Sequence, residues 1–308
     1  MPITEVEKIW MDGELVNWRD AQVHVLSHAL HYGSGVFEGI RAYETVRGPA
    51  VWHLDEHLRR LYRSAKLYHL EIPFSPEALT EGTKELIEAN GLSSCYIRPL
   101  AFRGYGEMGV NPLDAPVNVT IAVWPWGAYL GEDALDRGVR VKVSSWRRNP
   151  QNSLPAAAKA TGQYINSVLA KVESLKAGYD EAIMLNEHGY ITDGSGENIF
   201  IVHKGALVTP PTQAGSLDGI TRETVITLAR ELGYEVREEN LVRTDLYNAD
   251  ECFFTGTAAE LTPIREVDDR EVGEGHRGPV TKELQSAFFA ATKGEDPTHQ
   301  DWLTYVRD

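Results

Sequence analysis

Between Glu181 and Thr209 the chain alternates short apolar runs with glycine turns. Glu181 to Leu185 and Tyr190 to Thr192 flank His188-Gly189, while Asn198 to His203 and Ala206 to Thr209 flank Lys204-Gly205. Connections this short read as hairpins, because parallel neighbours need a crossover of a dozen residues or more. The second half of the chain is therefore expected to start as a meander with helices on either side of it. Before it, Ile165, Val168, Leu169, Val172 and Leu175 mark a helix starting just after Gly162. After it, Val225, Leu228, Ala229 and Leu232 give the i, i+3, i+4, i+7 pattern, with Thr221 as the expected N-cap and Gly233 as the stop.

The first half carries the same mixture. Asp12-Gly13 between Ile9-Trp10-Met11 and Glu14-Leu15-Val16 predicts a tight hairpin, since both residues tolerate positive φ. Leu54, Leu58, Leu61, Ala65 and Tyr68 recur at helical spacing and leave His57, Arg60 and Ser64 on a neighbouring face, read as a polar shoulder. A second helix is expected from Glu77 to Asn90, then strands at Cys95 to Phe102 and Val117 to Val123. Proline and glycine break the pattern at Trp124-Pro125-Trp126-Gly127-Ala128-Tyr129-Leu130-Gly131. With 308 residues, about two domains are expected: 1–124, a connection at 125–136, and 137–308.

Charge excludes some partners. Lys and Arg number 30 against 45 Asp and Glu, and the net charge of −15 repels nucleic acid and anionic lipid. Cys95 and Cys252 each sit in an apolar run, which favours buried free thiols and a cytoplasmic location. The N-terminus has no basic region followed by an apolar segment, and no stretch has the length of a membrane span, so the chain is read as mature and soluble.

Four segments carry chemistry: Ala157-Ala158-Lys159-Ala160-Thr161-Gly162-Gln163-Tyr164, Asp193-Gly194-Ser195-Gly196-Glu197-Asn198, Gly219-Ile220-Thr221-Arg222 and Thr255-Gly256-Thr257-Ala258-Ala259-Glu260. Lysine forms reversible Schiff bases, and small neighbours leave room for a flat ring beside Lys159. Ile220 and Thr221 open a helix whose N–H groups suit a phosphate, and the turn at Gly256-Thr257 offers a second set. Arg60 would add a fixed positive charge through two parallel hydrogen bonds. The inventory suits a pyridoxal phosphate enzyme. Each part alone has a plainer reading: a solvated lysine, an ordinary glycine turn, a surface arginine, a core tyrosine. His24, His28 and His31 lack an acidic or cysteine partner, so no metal is expected.

These segments resemble the branched-chain amino acid aminotransferases, of the fold type that also holds D-amino acid aminotransferases and aminodeoxychorismate lyases. The resemblance runs from about Ile9 to Ala290. It includes Ser27-His28-Ala29-Leu30-His31-Tyr32-Gly33, Phe37-Glu38-Gly39-Ile40-Arg41, Tyr96-Ile97-Arg98-Pro99, Gly109-Val110-Asn111-Pro112 and Thr257-Ala258-Ala259-Glu260. It implies an α+β fold of two domains, PLP fold type IV, with pyridoxal 5'-phosphate between them. Lys159 is then the Schiff-base lysine. Arg60, Ile220, Thr221, Gly256 and Thr257 surround the phosphate, Tyr164 faces the ring oxygen, and Asp193 pairs with the ring nitrogen. The family usually has glutamate where this chain has Asp193, a reach shorter by roughly 1.5 Å.

The resemblance further implies transamination of L-leucine, L-isoleucine and L-valine with 2-oxoglutarate by a ping-pong cycle. Phe37, Gly39, Trp126, Tyr129 and Val110 would surround the aliphatic side chain, with Met108 and Val110 reaching in from a neighbouring subunit of a dimer or hexamer. Arg98, Tyr32 and Tyr96 would meet the distal carboxylate of glutamate, and the amides of Thr257-Ala258 the α-carboxylate. A D-amino acid transaminase or lyase of the same fold, or a non-catalytic binder of phosphorylated ligands, are the competing readings.

Overall fold

Asp12 and Gly13 take φ of 50° and 99° and turn the strand Lys8–Met11 directly onto Glu14–Asn17. This hairpin is one edge of an eight-stranded sheet in the computed structural model, which describes residues 3–127, 130–131 and 133–307. The order across the sheet is Leu303–Tyr305, Gly48–Trp52, Ile40–Thr45, Cys95–Arg103, Val117–Trp124, Lys8–Met11 and Glu14–Asn17. The short strand Gly35–Phe37 also pairs with Cys95–Arg103. All these pairings are antiparallel.

The helices Leu54–Leu67 and Pro76–Ala89 pack with this sheet. Ser75 caps the second, its Oγ accepting from the Ala78 N–H at 3.2 Å, and Pro76 occupies the first turn, where no amide donor is needed. Leu58, Leu61, Leu79, Leu86, Ile97 and Ile121 fill the core, each contributing roughly 1.5–3 kcal/mol by leaving water. His57, Arg60 and Ser64 are buried too, not the polar shoulder expected from the helical wheel. Glu38 takes up the polar atoms of two of them.

Two compact units divide the chain: Met1–Trp126 with Ala158–Gln163 and Ala290–Asp308, and Gly127–Ala157 with Tyr164–Phe289. The division does not follow two continuous stretches. The lysine segment groups with the first unit because Ala160 bridges Val36, the Lys159 carbonyl accepts from the Phe37 N–H at 3.0 Å, and the Thr161 hydroxyl donates to the Gly33 carbonyl at 2.8 Å. The approach is close: a Cβ on Gly33 (φ 64°) would lie 2.7 Å from the Gly162 Cα. The tail joins the same unit because Leu303–Tyr305 adds a strand to Gly48–Trp52.

The second unit holds a nine-stranded mixed sheet, ordered Ile191–Gly194, Glu181–Leu185, Val139–Arg147, Glu260–Val267, Glu251–Gly256, Asn198–His203, Ala206–Thr209, Val236–Glu238, with Arg270–Glu271 beside Glu260–Val267. The hairpins predicted around His188-Gly189 and Lys204-Gly205 both form. Cys95 and Cys252 are buried free thiols.

The helix Tyr164–Lys176 forms where its periodicity placed it but faces the other way. Ile165, Val168, Leu169, Val172 and Leu175 are 38–63% exposed, whereas Asn166, Ser167, Ala170 and Ser174 are buried. The inner face is anchored by hydrogen bonds, Asn166 Nδ2 to the Arg147 carbonyl at 2.9 Å and Arg148 Nη1 to Ser167 Oγ at 3.0 Å. Small side chains let the helix lie close on the strands Val139–Arg147 and Glu181–Leu185. A second correction concerns the helix Ile220–Glu231, whose N-cap is Gly219 and not Thr221.

Candidate active site

Lys159 is half-buried and gripped through its backbone. Its N–H donates to Ser64 Oγ at 3.0 Å, its carbonyl accepts from Phe37, and its Nζ lies 5.2 Å from the centre of the Phe37 ring. Ser64 sits one helical turn beyond Arg60, so one helix face positions both the lysine and the arginine. Arg60 is committed to Glu38: Nε donates to Oε1 and Nη2 to Oε2, each at 2.7 Å. His57 Nδ1 lies 2.7 Å from the same Oε2. All three side chains are almost wholly buried.

Burial alone would raise the Glu38 carboxyl, but the Arg60 charge and hydrogen bonds, with help from His57, hold it well below the usual carboxylate range. Burial pushes His57 down, and the Arg60 and Lys159 charges add to that against the pull of Glu38. The neutral ring then donates Nδ1–H to the carboxylate. Sequence reasoning assigns no role to Glu38 or His57. The available signal is the spacing of His57, Arg60 and Ser64, three polar residues on one face of a helix beside its apolar stripe of Leu54, Leu58, Leu61 and Ala65.

An aromatic wall lies in the same unit. Tyr96 stacks obliquely on Trp124 and Trp126, at centroid distances of 5.0 and 4.5 Å. Arg98 donates from Nη2 to the Tyr96 hydroxyl at 3.2 Å and lies over the Phe37 ring at 4.9 Å. Only glycine fits at position 39, since a Cβ there would fall 2.0 Å from the Tyr96 hydroxyl oxygen. Tyr32, Met108 and Val110 are exposed, Val110 at 89%. Tyr129 lies outside the described residues.

The second unit carries the remaining candidates. Asp193 is 8% exposed, and its Oδ1 accepts from Arg148 Nε at 3.0 Å, Arg148 Nη2 at 2.7 Å and the Thr192 hydroxyl at 2.6 Å. Arg148 has no signal in the sequence, because it comes to the site from 45 residues away. Tyr164 is the first residue of its helix. Ile220 and Thr221 open theirs with no side-chain cap, so the first-turn N–H groups point outward without intrahelical acceptors. A Cβ on Gly219 would lie 1.9 Å from Asn198 Oδ1, which keeps the cap a bare backbone. Gly256 ends its strand and Thr257-Ala258-Ala259 form the turn that follows. Backbone donors of this kind suit a phosphate or carboxylate.

Glu197 lies beneath the Asp193 turn and accepts the Gly196 N–H at 3.0 Å. Burial, then Glu181, raise its carboxyl to about 8; Lys171 and the Gly196 amide oppose this and Asp193 adds to it. An acid raised in the folded state holds its full contribution to stability below the unfolded value and loses it as pH climbs through the folded one. Wild-type stability should therefore fall between pH 4.5 and about 8 relative to Glu197→Gln. Thermal melts of both proteins across that window check this; parallel curves would refute it.

The family model for amino-transferase class IV matches residues 35–267. The branched-chain-amino-acid aminotransferase of Pseudomonas aeruginosa is 50% identical over 299 residues, 97% of each chain. The solved branched-chain amino acid aminotransferase of Escherichia coli is 51% identical, with a TM-score of 0.97 covering 98% of this chain and 100% of that one. The branched-chain amino acid aminotransferase of Thermobaculum terrenum, solved in its PLP-form, is 35% identical, with a TM-score of 0.93 covering 99% of each chain.

Proposed function

Because the chain belongs to the class IV aminotransferases, we propose that Lys159, Asp193, Tyr164, Arg60 and the turns at Ile220-Thr221 and Gly256-Thr257 serve one reaction. Its activity is transfer of the amino group of branched-chain amino acids, and its cofactor is pyridoxal 5'-phosphate. In this reading the donors are L-leucine, L-isoleucine and L-valine, and the acceptor is 2-oxoglutarate. What carries it is Lys159, whose peptide is fixed on both sides by Ser64 and Phe37, so that its amine reacts from an anchored backbone.

The residues fit the cofactor. A bare helix N-terminus, kept open because Asn198 fills the space a Cβ on Gly219 would need, suits a phosphate. A buried carboxylate suits a ring N–H⁺. When bound, pyridoxal 5'-phosphate supplies an aldehyde that carries the amino group and a ring that takes up the electron pair left at the substrate's Cα. Lys159 would hold the cofactor through its Nζ and, from the same anchored backbone, would serve as the base for the substrate's Cα proton. Asp193 would hold the ring proton, while Arg148 and Thr192 hold Asp193. Tyr164 donates to the ring oxygen. Phe37, Gly39 and Trp126 would enclose the aliphatic chain and exclude water. Arg98, with Tyr32 and Tyr96, receives the distal carboxylate of glutamate, and Thr257-Ala258 the α-carboxylate.

L-leucine with 2-oxoglutarate should give double-reciprocal lines that are parallel at several acceptor concentrations, and D-alanine should give no turnover. Intersecting lines, or a preference for D-alanine, would overturn the assignment.

We read the protein as a homo-oligomer in the cytoplasm. Val25, Leu30, Tyr105, Met108 and Val110 are exposed on the first unit, which also carries an apolar recess of about 360 Å³ lined by Ile9, Met11, Leu30, Leu100 and Phe102. The outward stripe of the helix Tyr164–Lys176 adds a second apolar surface. So much exposed apolar side chain supports contact with a second copy, into whose site Met108 and Val110 would reach. The unpaired thiols support a reducing compartment. No helix among the described residues is long and apolar enough to cross a membrane.

A further inference from the structure

We infer that Glu38 is a positioning residue for the cofactor phosphate, acting entirely through Arg60. The inference rests on the reading above that Arg60 meets the phosphate.

A free guanidinium offers phosphate two parallel donors from any edge. Here the Nε/Nη2 edge is already spent on the two oxygens of Glu38, both at 2.7 Å. Arg60 is therefore held in one orientation by this fork. Glu38 is itself fixed. Its backbone N–H donates to the Pro99 carbonyl at 2.9 Å, His57 donates to its Oε2, and its side chain has no exposure to water. Three separate elements therefore set the direction of one cation: the residues between Gly35–Phe37 and Ile40–Thr45, the strand Cys95–Arg103, and the helix Leu54–Leu67.

The arrangement also explains how an arginine 3% exposed tolerates burial. Glu38 cancels its charge, with neutral His57 filling the acceptor capacity that remains on Oε2. Glu38→Gln keeps the shape and one acceptor but loses the carboxylate fork, so Arg60 gains rotational freedom and the phosphate meets a less defined donor.

The test compares binding of pyridoxal 5'-phosphate and of pyridoxal, which lacks the phosphate, to apoprotein variants by absorbance titration. Glu38→Gln should weaken pyridoxal 5'-phosphate about tenfold and leave pyridoxal unchanged. In an Arg60→Gln background the same change should have no further effect on either. Equal weakening of both ligands, or a Glu38→Gln effect that persists without Arg60, would mean a general structural role and overturn the inference. An Arg60→Gln protein that binds both ligands as wild type does would instead refute the phosphate role of Arg60. Should Glu38→Gln yield no folded protein, Glu38→Asp, which keeps the charge with a shorter reach, is read in the same way.

Discussion

Lys159→Ala should lose at least about four orders of magnitude in turnover with L-leucine and 2-oxoglutarate, because in the proposed reaction one residue supplies both the covalent amine and the proton carrier. The fold should survive. Alanine keeps the backbone N–H to Ser64 and the carbonyl that accepts from Phe37, the two bonds that hold the segment. Melting temperature should change little, and the variant should still bind cofactor through its phosphate contacts. Borohydride reduction of the loaded wild type, followed by peptide mapping, should fix the cofactor to the peptide containing Lys159. A label elsewhere, or a variant that retains activity, would remove the basis of the mechanism.

Asp193→Asn should lower turnover by about two to four orders of magnitude. Removing one partner of a buried ion pair costs roughly 3–5 kcal/mol, and every 1.36 kcal/mol placed on the transition state is tenfold in rate. The Arg148 side chain is 12% exposed and would be left with an amide oxygen in place of a carboxylate. Part of the cost would then appear as lost stability, so melting must be measured alongside rate. Asp193→Glu should stay within about tenfold of wild type, because the charge remains and its reach lengthens. A fully active asparagine variant would show that this carboxylate does not hold the ring proton. Arg148 also bears on the shortness of the aspartate. It ties Asp193 Oδ1 and the Gly194 carbonyl to one guanidinium, at 2.7 Å each, and so fixes the turn on which the carboxylate sits.

Local chemistry in the chain was legible wherever a neighbour in sequence is a neighbour in space. The hairpins at Asp12-Gly13, His188-Gly189 and Lys204-Gly205 form because a two-strand turn depends on residues within a few positions. The helices at Leu54–Leu67 and Tyr164–Lys176 form where the apolar spacing put them. Periodicity reveals a stripe, but not which side of the stripe meets the body of the protein. For Tyr164–Lys176 the small and polar side packs inward, because Asn166 and Ser167 find partners in the segment around Arg147 and Arg148. For Leu54–Leu67 the face read as a polar shoulder is buried, because Glu38, outside the helix, supplies a carboxylate to His57 and Arg60.

By itself the sequence pointed to the proposed reactive inventory: the lysine among small residues, the acid in its glycine turn, and two turns of consecutive amides suited to anions. Residue type and short-range spacing are enough for that, since each turn is built from neighbours in sequence. Tertiary structure alone decided who compensates whom. Arg60 with Glu38, and Asp193 with Arg148, are pairs 22 and 45 residues apart. Burying a charge demands a counter-charge, and where that counter-charge comes from depends on which strands and helices pack together.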